Sequence, residues 1–504
     1  MIPLQRLRWF GLLPLLLGVQ VITAGAEPRV EVPGASTQTL KSQATGSEPP
    51  QPPPAQTESP EEESPLRLPG WLADILAQAP ASQSFRLPAW VPRVLGAQAT
   101  IIDQGVLPFR SPYRDANSFK SNGDNQISQT YGLYLGSQLT PRLQFYFDVE
   151  MFKGEGISNG TGLGGLTDGD VIRSGSVQLA KNPYVARAYV RYVLPLSPET
   201  EQADRAMDQM PGPEPVRRLE IKFGKFATND DFDQNRYSNS TRTQFLNWSL
   251  WNNTAWDFAA DTRGFSYGLL LAWVTPNWTV RVGSLMMPTV ANGNTLDEHI
   301  WQARGDNVEL TLRPSNWGTV VRLLGYVNQA RIGIYRDAIA KAQETGSTPD
   351  ITKQDHPGRI KWGGGINIEQ PLGDEGETGV FARLGWNDGK TESFAFTEVD
   401  RLATVGLQLS GVHWWRPKDV LGIAYAVDGL SPEHRHYLNR GGAGFLLGDG
   451  KLNYALEQVL EVYYRVQLLR YVQTSLDYQY IQNPGYNRDR GPAHVIGGRL
   501  RVSF

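Results

Sequence analysis

From about residue 98 to its last residue the chain repeats one pattern: runs of roughly ten residues in which apolar and polar side chains alternate, the length a tilted strand needs to cross a bilayer. In RLQFYFDVEM, Leu143, Phe145, Phe147, Val149 and Met151 alternate with Arg142, Gln144, Tyr146, Asp148 and Glu150; in VQTSLDYQY, Val472, Leu476, Tyr478 and Tyr480 alternate with Gln473, Ser475, Asp477 and Gln479. A period of two marks a β-strand whose two faces meet different surroundings. Such runs fall near 98–107, 127–139, 142–152, 184–194, 217–226, 264–274, 277–287, 307–313, 318–329, 360–370, 378–386, 402–412, 419–428, 457–468, 471–481 and 494–504. That makes about sixteen, an even number within the range of bacterial single-chain barrels. An open twisted sheet rarely exceeds about ten strands, whereas closure removes the edges that neither lipid nor water tolerates. The expected fold is all-β: a transmembrane antiparallel β-barrel of about sixteen strands over 98–504.

The connections test this independently, because outer-membrane barrels have short periplasmic turns and long external loops. Counting back from Phe504, the connections at 469–470 and 414–418 are short, and those at Gly429 to Leu456 and Asn387 to Arg401 are long. PLGDEGE, RPSNWG and TPNW continue the short series, and Pro195 to Val216, long and polar, breaks the rule. The terminal GRLRVSF fixes the register of the last strand. An arginine on the lipid face at the midplane costs roughly 2–4 kcal/mol, so Arg499 and Arg501 are expected to face the lumen, and Leu500, Val502 and Phe504 the lipid.

The mean hydropathy of −0.37 would suit a soluble protein, but an alternating barrel does not raise that average. The longest apolar run, Trp9 to Ile22, falls short of the ~18 residues of a membrane helix. It follows Arg6 and Arg8 and precedes Ala24-Gly25-Ala26, the layout of a signal peptide over 1–26, with the mature chain starting near Glu27. Residues 27–70, rich in Pro and Glu, hold too few large apolar side chains to offset their ordering entropy and are expected to be a disordered tail. A short segment, 71–97, links tail to barrel; its WLADILAQ, Trp71 to Gln78, has the length of two helical turns. An exported chain without cysteine has neither disulfides nor thiolate metal sites, and a net charge of −3 shows no nucleic-acid footprint.

Inward positions mix both signs: Asp148, Glu150, Glu369, Glu461, Arg465, Asp477, Arg499 and Arg501, with Arg142 at the head of its run. A filter for one ion sign would carry a ring of like charge, so the mixture suits a neutral polar solute in a water-filled lumen. The third external loop, Asn229 to Gly264, concentrates Trp248, Trp251 and Trp256 beside Asp230, Asp231, Asp233, Asp257, Asp261, Arg236, Arg242 and Arg263. Aromatic faces beside charged hydrogen-bonding groups are what a sugar ring needs, and folded inward this loop would narrow the pore; the same tryptophans could equally pack the loop against the wall. Asp231-x-Asp233-x-Asn235 begins like a calcium loop, but Arg236 stands where glycine belongs and Arg242 where the bidentate glutamate should be. His434 and His436 are expected to be solvated rather than metal-bound. The glycine-rich GGAGFLLGDG and GLGGLTDGD precede no helix, and no Ser, His and acid set argues for nucleophilic catalysis. No cofactor, metal or enzymatic activity is expected. A plugged barrel that binds a ligand or anchors the cell wall through its Pro-rich tail is the alternative.

The residues FRSPYRDANS (Phe109 to Ser118), FGKF (Phe223 to Phe226), DFDQNRY (Asp231 to Tyr237), FLNWS (Phe245 to Ser249), AADTRGFSYG (Ala259 to Gly268), FTEVDR (Phe396 to Arg401) and DYQYIQNPGYNRDRGP (Asp477 to Pro492) resemble the carbohydrate-selective porin family of the OprB type. The resemblance implies a sixteen-stranded outer-membrane channel that admits sugars by diffusion past a constriction of arginines and acids. Carried onto this chain, Asp231, Asp233, Asn235, Arg236 and Tyr237 lead the group, Asp261 and Arg263 follow, and Arg236→Ala should alter selectivity. Phe504 looks like the terminal assembly signal of outer-membrane proteins. The partners implied are carbohydrate, outer-membrane lipid and the barrel-insertion machinery, with a homo-trimer as a candidate assembly. Tryptophans are denser over Leu250 to Asp257 than the family pattern, and the acidic tail lies outside it.

Overall fold

Sixteen strands close on themselves in a computed structural model that describes residues 88, 90–170, 179–314 and 317–504. The expected signal peptide, the Pro/Glu-rich tail and the WLADILAQ stretch lie outside the described residues. The strands are β1 (Arg93–Val106), β2 (Asp124–Thr140), β3 (Leu143–Gly154), β4 (Tyr184–Pro195), β5 (Thr200–Ala203), β6 (Gly212–Pro215), β7 (Arg218–Phe226), β8 (Ser266–Val274) and β9 (Trp278–Met286). They continue as β10 (Arg304–Leu312), β11 (Val320–Ile332), β12 (His356–Gly373), β13 (Thr378–Asn387), β14 (Arg401–Ser410), β15 (Val420–Gly429), β16 (Glu457–Leu469), β17 (Val472–Gln482) and β18 (Ala493–Ser503). All except β5 and β6 join the barrel, each antiparallel to its neighbours, and β1 closes on β18 from Gln98 opposite Ser503 to Val106 opposite Val495. Every alternating run of the sequence becomes one barrel strand.

The terminal strand has the register its arginines require. Leu500, Val502 and Phe504 are 43, 43 and 53% exposed, while Arg499 and Arg501 are 3 and 9% exposed. Leu219, Ile221 and Phe223 on β7 and Leu269, Leu271 and Trp273 on β8 continue the outward apolar band. No helix among the described residues is long and apolar enough to cross a membrane; the strands do so.

Three features depart from the alternation. β1 starts at Arg93, ahead of its alternating run, because a bulge between Val94 and Gly96 places Leu95 and Gly96 on the same buried side. Arg142 sits exposed in the β2–β3 turn rather than on the inner wall. The long connection after Pro195 carries the separate hairpin β5–β6 and turns inward, held by Arg191, whose two terminal nitrogens donate to Glu214 at 2.7 and 2.9 Å.

At the opposite end the long loops pack on one another instead of standing free. Among the described residues two helices lie there, α2 (Tyr335–Thr345) and α3 (Pro432–Asn439), while α1 (Trp248–Trp251) sits on the β7–β8 loop against β14 and β15. Glu398 donates its backbone N–H to Gly164 at 2.8 Å, and its carboxylate accepts from the N–H groups of Leu446 and Leu447 at 3.1 and 2.6 Å. His434, expected in solvent, is fully buried on α3, stacked on Tyr335 at 4.5 Å with Nδ1 3.1 Å from Asp400. The apolar face that α2 offers to α3 explains the difference, since a lone histidine in a long loop gives no sign of a partner helix.

Candidate functional site

The loop between β7 and β8, residues 227–265, enters the barrel and crosses it. Its first arm is fixed to the β10–β13 wall. Asp233 lies 3.0 Å from the guanidinium of Arg383, accepts from Asn367 Nδ2 at 2.7 Å and from the Asn253 N–H at 2.8 Å, and donates its own N–H to Glu309 at 2.7 Å. Asn235 Nδ2 donates to Asn367 at 2.7 Å, the Arg236 N–H to Glu369 at 2.7 Å, and the Tyr237 hydroxyl to Gly376 O at 2.9 Å. The middle arm is held by β16 and β18: Glu461 accepts from Leu246 N–H and Asn247 N–H at 2.6 and 2.9 Å, Arg465 donates to Thr243 O at 3.1 Å and Arg499 to Gln244 O at 2.8 Å.

The inward charges of the wall therefore do a different job from the one the sequence suggests. Asp148, Glu369, Glu461, Arg499 and Arg501 are directed inward and buried, covered by the loop or the β5–β6 connection, and Arg465 is half-buried; none of the six lines the cavity described below. Most of their partners are backbone groups of the irregular loop, which would otherwise be buried without hydrogen bonds. Of the wall acids named from the sequence, Glu150 borders the open space inside the barrel.

That space is a cavity of about 880 Å³ between the infolded loop and the β3–β4–β7 side of the wall. Among the described residues its lining holds seven cations (Arg187, Arg191, Arg218, Lys222, Arg242, Arg263 and Arg281) and nine acids. They form linked pairs. Arg242, on the loop, donates to Glu150 and to Asp170, each at 2.9 Å, and to the Tyr134 hydroxyl at 2.9 Å. Arg187, on β4, grips Asp230 at 2.6 and 2.8 Å, with Asp148 at 3.5 Å and Asp208 at 3.9 Å. Burial alone would raise Asp230, but the Arg187 charge overrides it and holds the carboxyl below its usual range. Lys222 donates to Asp231 at 2.8 Å and lies over the Tyr189 ring at 4.3 Å.

The ten loop residues singled out from the sequence thus separate. Asp231, Arg242, Trp248, Trp251 and Arg263 line the cavity; Asp233, Asn235, Arg236, Tyr237 and Asp261 do not. Asp233, Asn235 and Tyr237 serve as buried ties, and Asp261 is a turn acid that accepts from the N–H groups of Arg263 and Phe265 at 2.9 and 3.1 Å. Arg236 points to the periplasmic end, 3.1 Å from Glu377. Its replacement by alanine is accordingly expected to leave sugar selectivity unchanged in liposome swelling, and a changed order of sugars would show that its side chain does reach the path. Trp248 and Trp251 show only edges, each 6% exposed, with Trp248 stacked on Phe396 at 5.1 Å. Trp256 is packed away, its Nε1 donating to Asn307 at 3.0 Å.

The lining residues not named from the sequence are chiefly Arg187 and Arg191 on β4 and Arg218, Glu220 and Lys222 on β7. Their spacing of four and of two was a usable signal, but a bulge opposite Asp148 and Val149 breaks the β4 alternation. The hairpin connection contributes Glu201, Asp204 and Asp208, which no periodicity marks.

Asp168 in the β3–β4 loop accepts from the Ser128 hydroxyl and the Asp170 N–H, both at 2.9 Å. Burial first, and the Asp170 carboxylate second, push it from 3.8 to about 7. A raised acid favours the folded loop fully below about pH 4, and that advantage is lost as the pH rises to about 7. Hydrogen exchange over residues 163–170 should therefore speed up between pH 4 and 7 after correction for the intrinsic rate, and Asp168→Asn should flatten the profile. A flat profile in the parent would contradict this reading.

A closed, externally looped barrel with a narrowed polar passage defines an outer-membrane porin. Residues 125–504 match the family described as carbohydrate-selective porin, OprB family, and the chain belongs to that family. It is an outer-membrane channel for carbohydrate. No curated protein matches the chain. Among solved structures, the high-pH structure of Pseudomonas putida OprB is similar with a TM-score of 0.61 at 18% identity, covering 82% of this chain and 94% of that one. The low-pH structure of the same porin gives 0.43 at 16% identity over 82 and 92%, and OmpF of Salmonella typhi in complex with daunomycin gives 0.44 at 11% identity over 81 and 97%.

Proposed function

We propose that small neutral sugars diffuse along the cavity between the 227–265 loop and the β3–β4–β7 wall, and that this loop is the constriction. The observation that carries the reading is the lining itself: interleaved arginines, lysine and acids with aromatic edges, and no ring of one sign. Guanidinium and carboxylate groups exchange hydrogen bonds with sugar hydroxyls, while paired charges leave no strong field to select an ion. The passage needs no bond-breaking step. Liposomes bearing the protein should swell in sugars at rates that fall with sugar size and differ between isomers; identical rates for all sugars would defeat selective passage.

The plugged-barrel reading draws on how much of the lumen the loops fill, and it predicts no swelling. For assembly, we read Phe504 as the insertion signal, supported by its half-exposed, outward position beside β18. Its deletion should slow insertion by the barrel-insertion machinery, seen as accumulated unfolded protein whose gel mobility does not change on heating; normal insertion would leave Phe504 as an interfacial aromatic only. Lipid surrounds the outward band, and a homo-trimer is the assembly we infer from the family, to be checked by mass in detergent.

A further inference from the structure

The β4–β7 connection, residues 196–217, breaks the short-turn rule at the periplasmic end, and its inward course supplies what the constriction loop lacks: a floor to the passage. Its base is pinned by Arg191 to Glu214, and Arg218 lies 3.5 Å from both Glu201 and Glu214. Its tip, a tight turn closed by reciprocal bonds between Ala206 and Gln209 at 3.2 Å, reaches across the inner faces of β1 to β3. There Met210 is buried, with its N–H donating to the Tyr146 hydroxyl at 3.2 Å. A Cβ on Gly136 of β2 would lie 2.6 Å from Met210 Sδ, so the wall is hollowed where the methionine seats. Met207 similarly lies against Gly96 of β1, and its sulfur is 3.8 Å from Arg501.

Along the connection, Gln202 and Asp204, and at its tip Asp208 and Gln209, border the same cavity as the 227–265 loop. The two inserts meet at one side chain, because Arg187 binds Asp230 of the loop and faces Asp208 of the connection. We propose that the 196–217 connection is a second, periplasmic selectivity element in series with the loop, setting the size limit at the exit and offering amide and carboxylate acceptors to the hydroxyls of a departing sugar. A turn needed only to join two strands would require no seated methionines and no buried Arg–Glu fork. The inference rests on the cavity being the sugar path, and its test separates the two.

Replacement of residues 196–217 by a two-residue Asn-Gly turn should raise single-channel conductance about twofold or more and admit longer oligosaccharides in liposome swelling. If that variant fails to fold, the chain's lack of cysteine allows a probe that keeps the connection: Gln209→Cys and, on the loop, Ser240→Cys, each treated with a bulky cationic methanethiosulfonate. Labelling at Gln209→Cys is expected to cut sugar flux about as much as labelling at Ser240→Cys. Block at Ser240→Cys with full labelling but unchanged flux at Gln209→Cys, or no labelling at Gln209→Cys, overturns the second element and leaves the path standing. Unchanged flux with both sites labelled overturns the path itself, and the second element with it.

Discussion

Arg383→Ala is expected to destabilise the protein by roughly 3–5 kcal/mol and to release the 227–265 loop, widening the channel. The guanidinium is wholly buried on β13 and is tied to the loop at 3.0 Å from Asp233 Oδ2, 3.0 Å from the Ser238 hydroxyl, 2.6 Å from Ser238 O and 3.2 Å from Asp233 O. Truncation strands the Asp233 charge among amide donors with no counter-charge, and removing one partner of a buried pair costs far more than removing both. The double variant Arg383→Met with Asp233→Asn should therefore recover much of the loss. Urea unfolding in lipid vesicles, followed by tryptophan fluorescence, gives the stability, and single-channel current gives the width. A single variant within about 1 kcal/mol of the parent, with the parent conductance, would show that the loop is held by other ties.

The second large effect is expected at Arg242→Ala. This side chain neutralises Glu150 and Asp170 beside the cavity, and its loss leaves six cations against nine acids among the described residues that line it. Two carboxylates freed beside the path should shift the channel toward cations by about threefold to tenfold in permeability ratio, with the larger shift at low salt, where screening is weak. Sugar affinity should fall in the same variant, since the guanidinium that presents donors to hydroxyls is gone. Reversal potentials across a salt gradient measure the first effect; an unchanged potential would place Arg242 outside the conducting path. Arg242→Lys should keep most of the ion balance but lose the fork that holds both acids at once.

The barrel was legible because lipid enforces it. A charge turned outward costs enough to keep Leu500, Val502 and Phe504 on one face and Arg499 and Arg501 on the other, and the same penalty acts on every strand. Nothing comparable acts on the loops. Asp233, Asn235 and Tyr237 share a motif with Asp231, yet Asp231 meets Lys222 at the cavity and the others meet Arg383, Asn367 and Gly376 behind it. Which side of an irregular loop faces the wall depends on partners far away in sequence, so composition marks the loop but cannot divide its residues. The β4 and β7 charges were within reach of the alternation argument: a bulge interrupts only the start of β4, and Arg218, Glu220 and Lys222 alternate through β7 without a break. The hairpin connection was visible only as an exception to a length rule, because its seat depends on glycines in other strands.

The most direct test of the sugar path is current through single channels in a planar bilayer as sugar is added. Steady conductance with little preference between ions is expected, reduced in a saturable way by a permeant sugar, with the block weakened in Arg242→Ala. A silent barrel, or a current that no sugar alters in either protein, would contradict it.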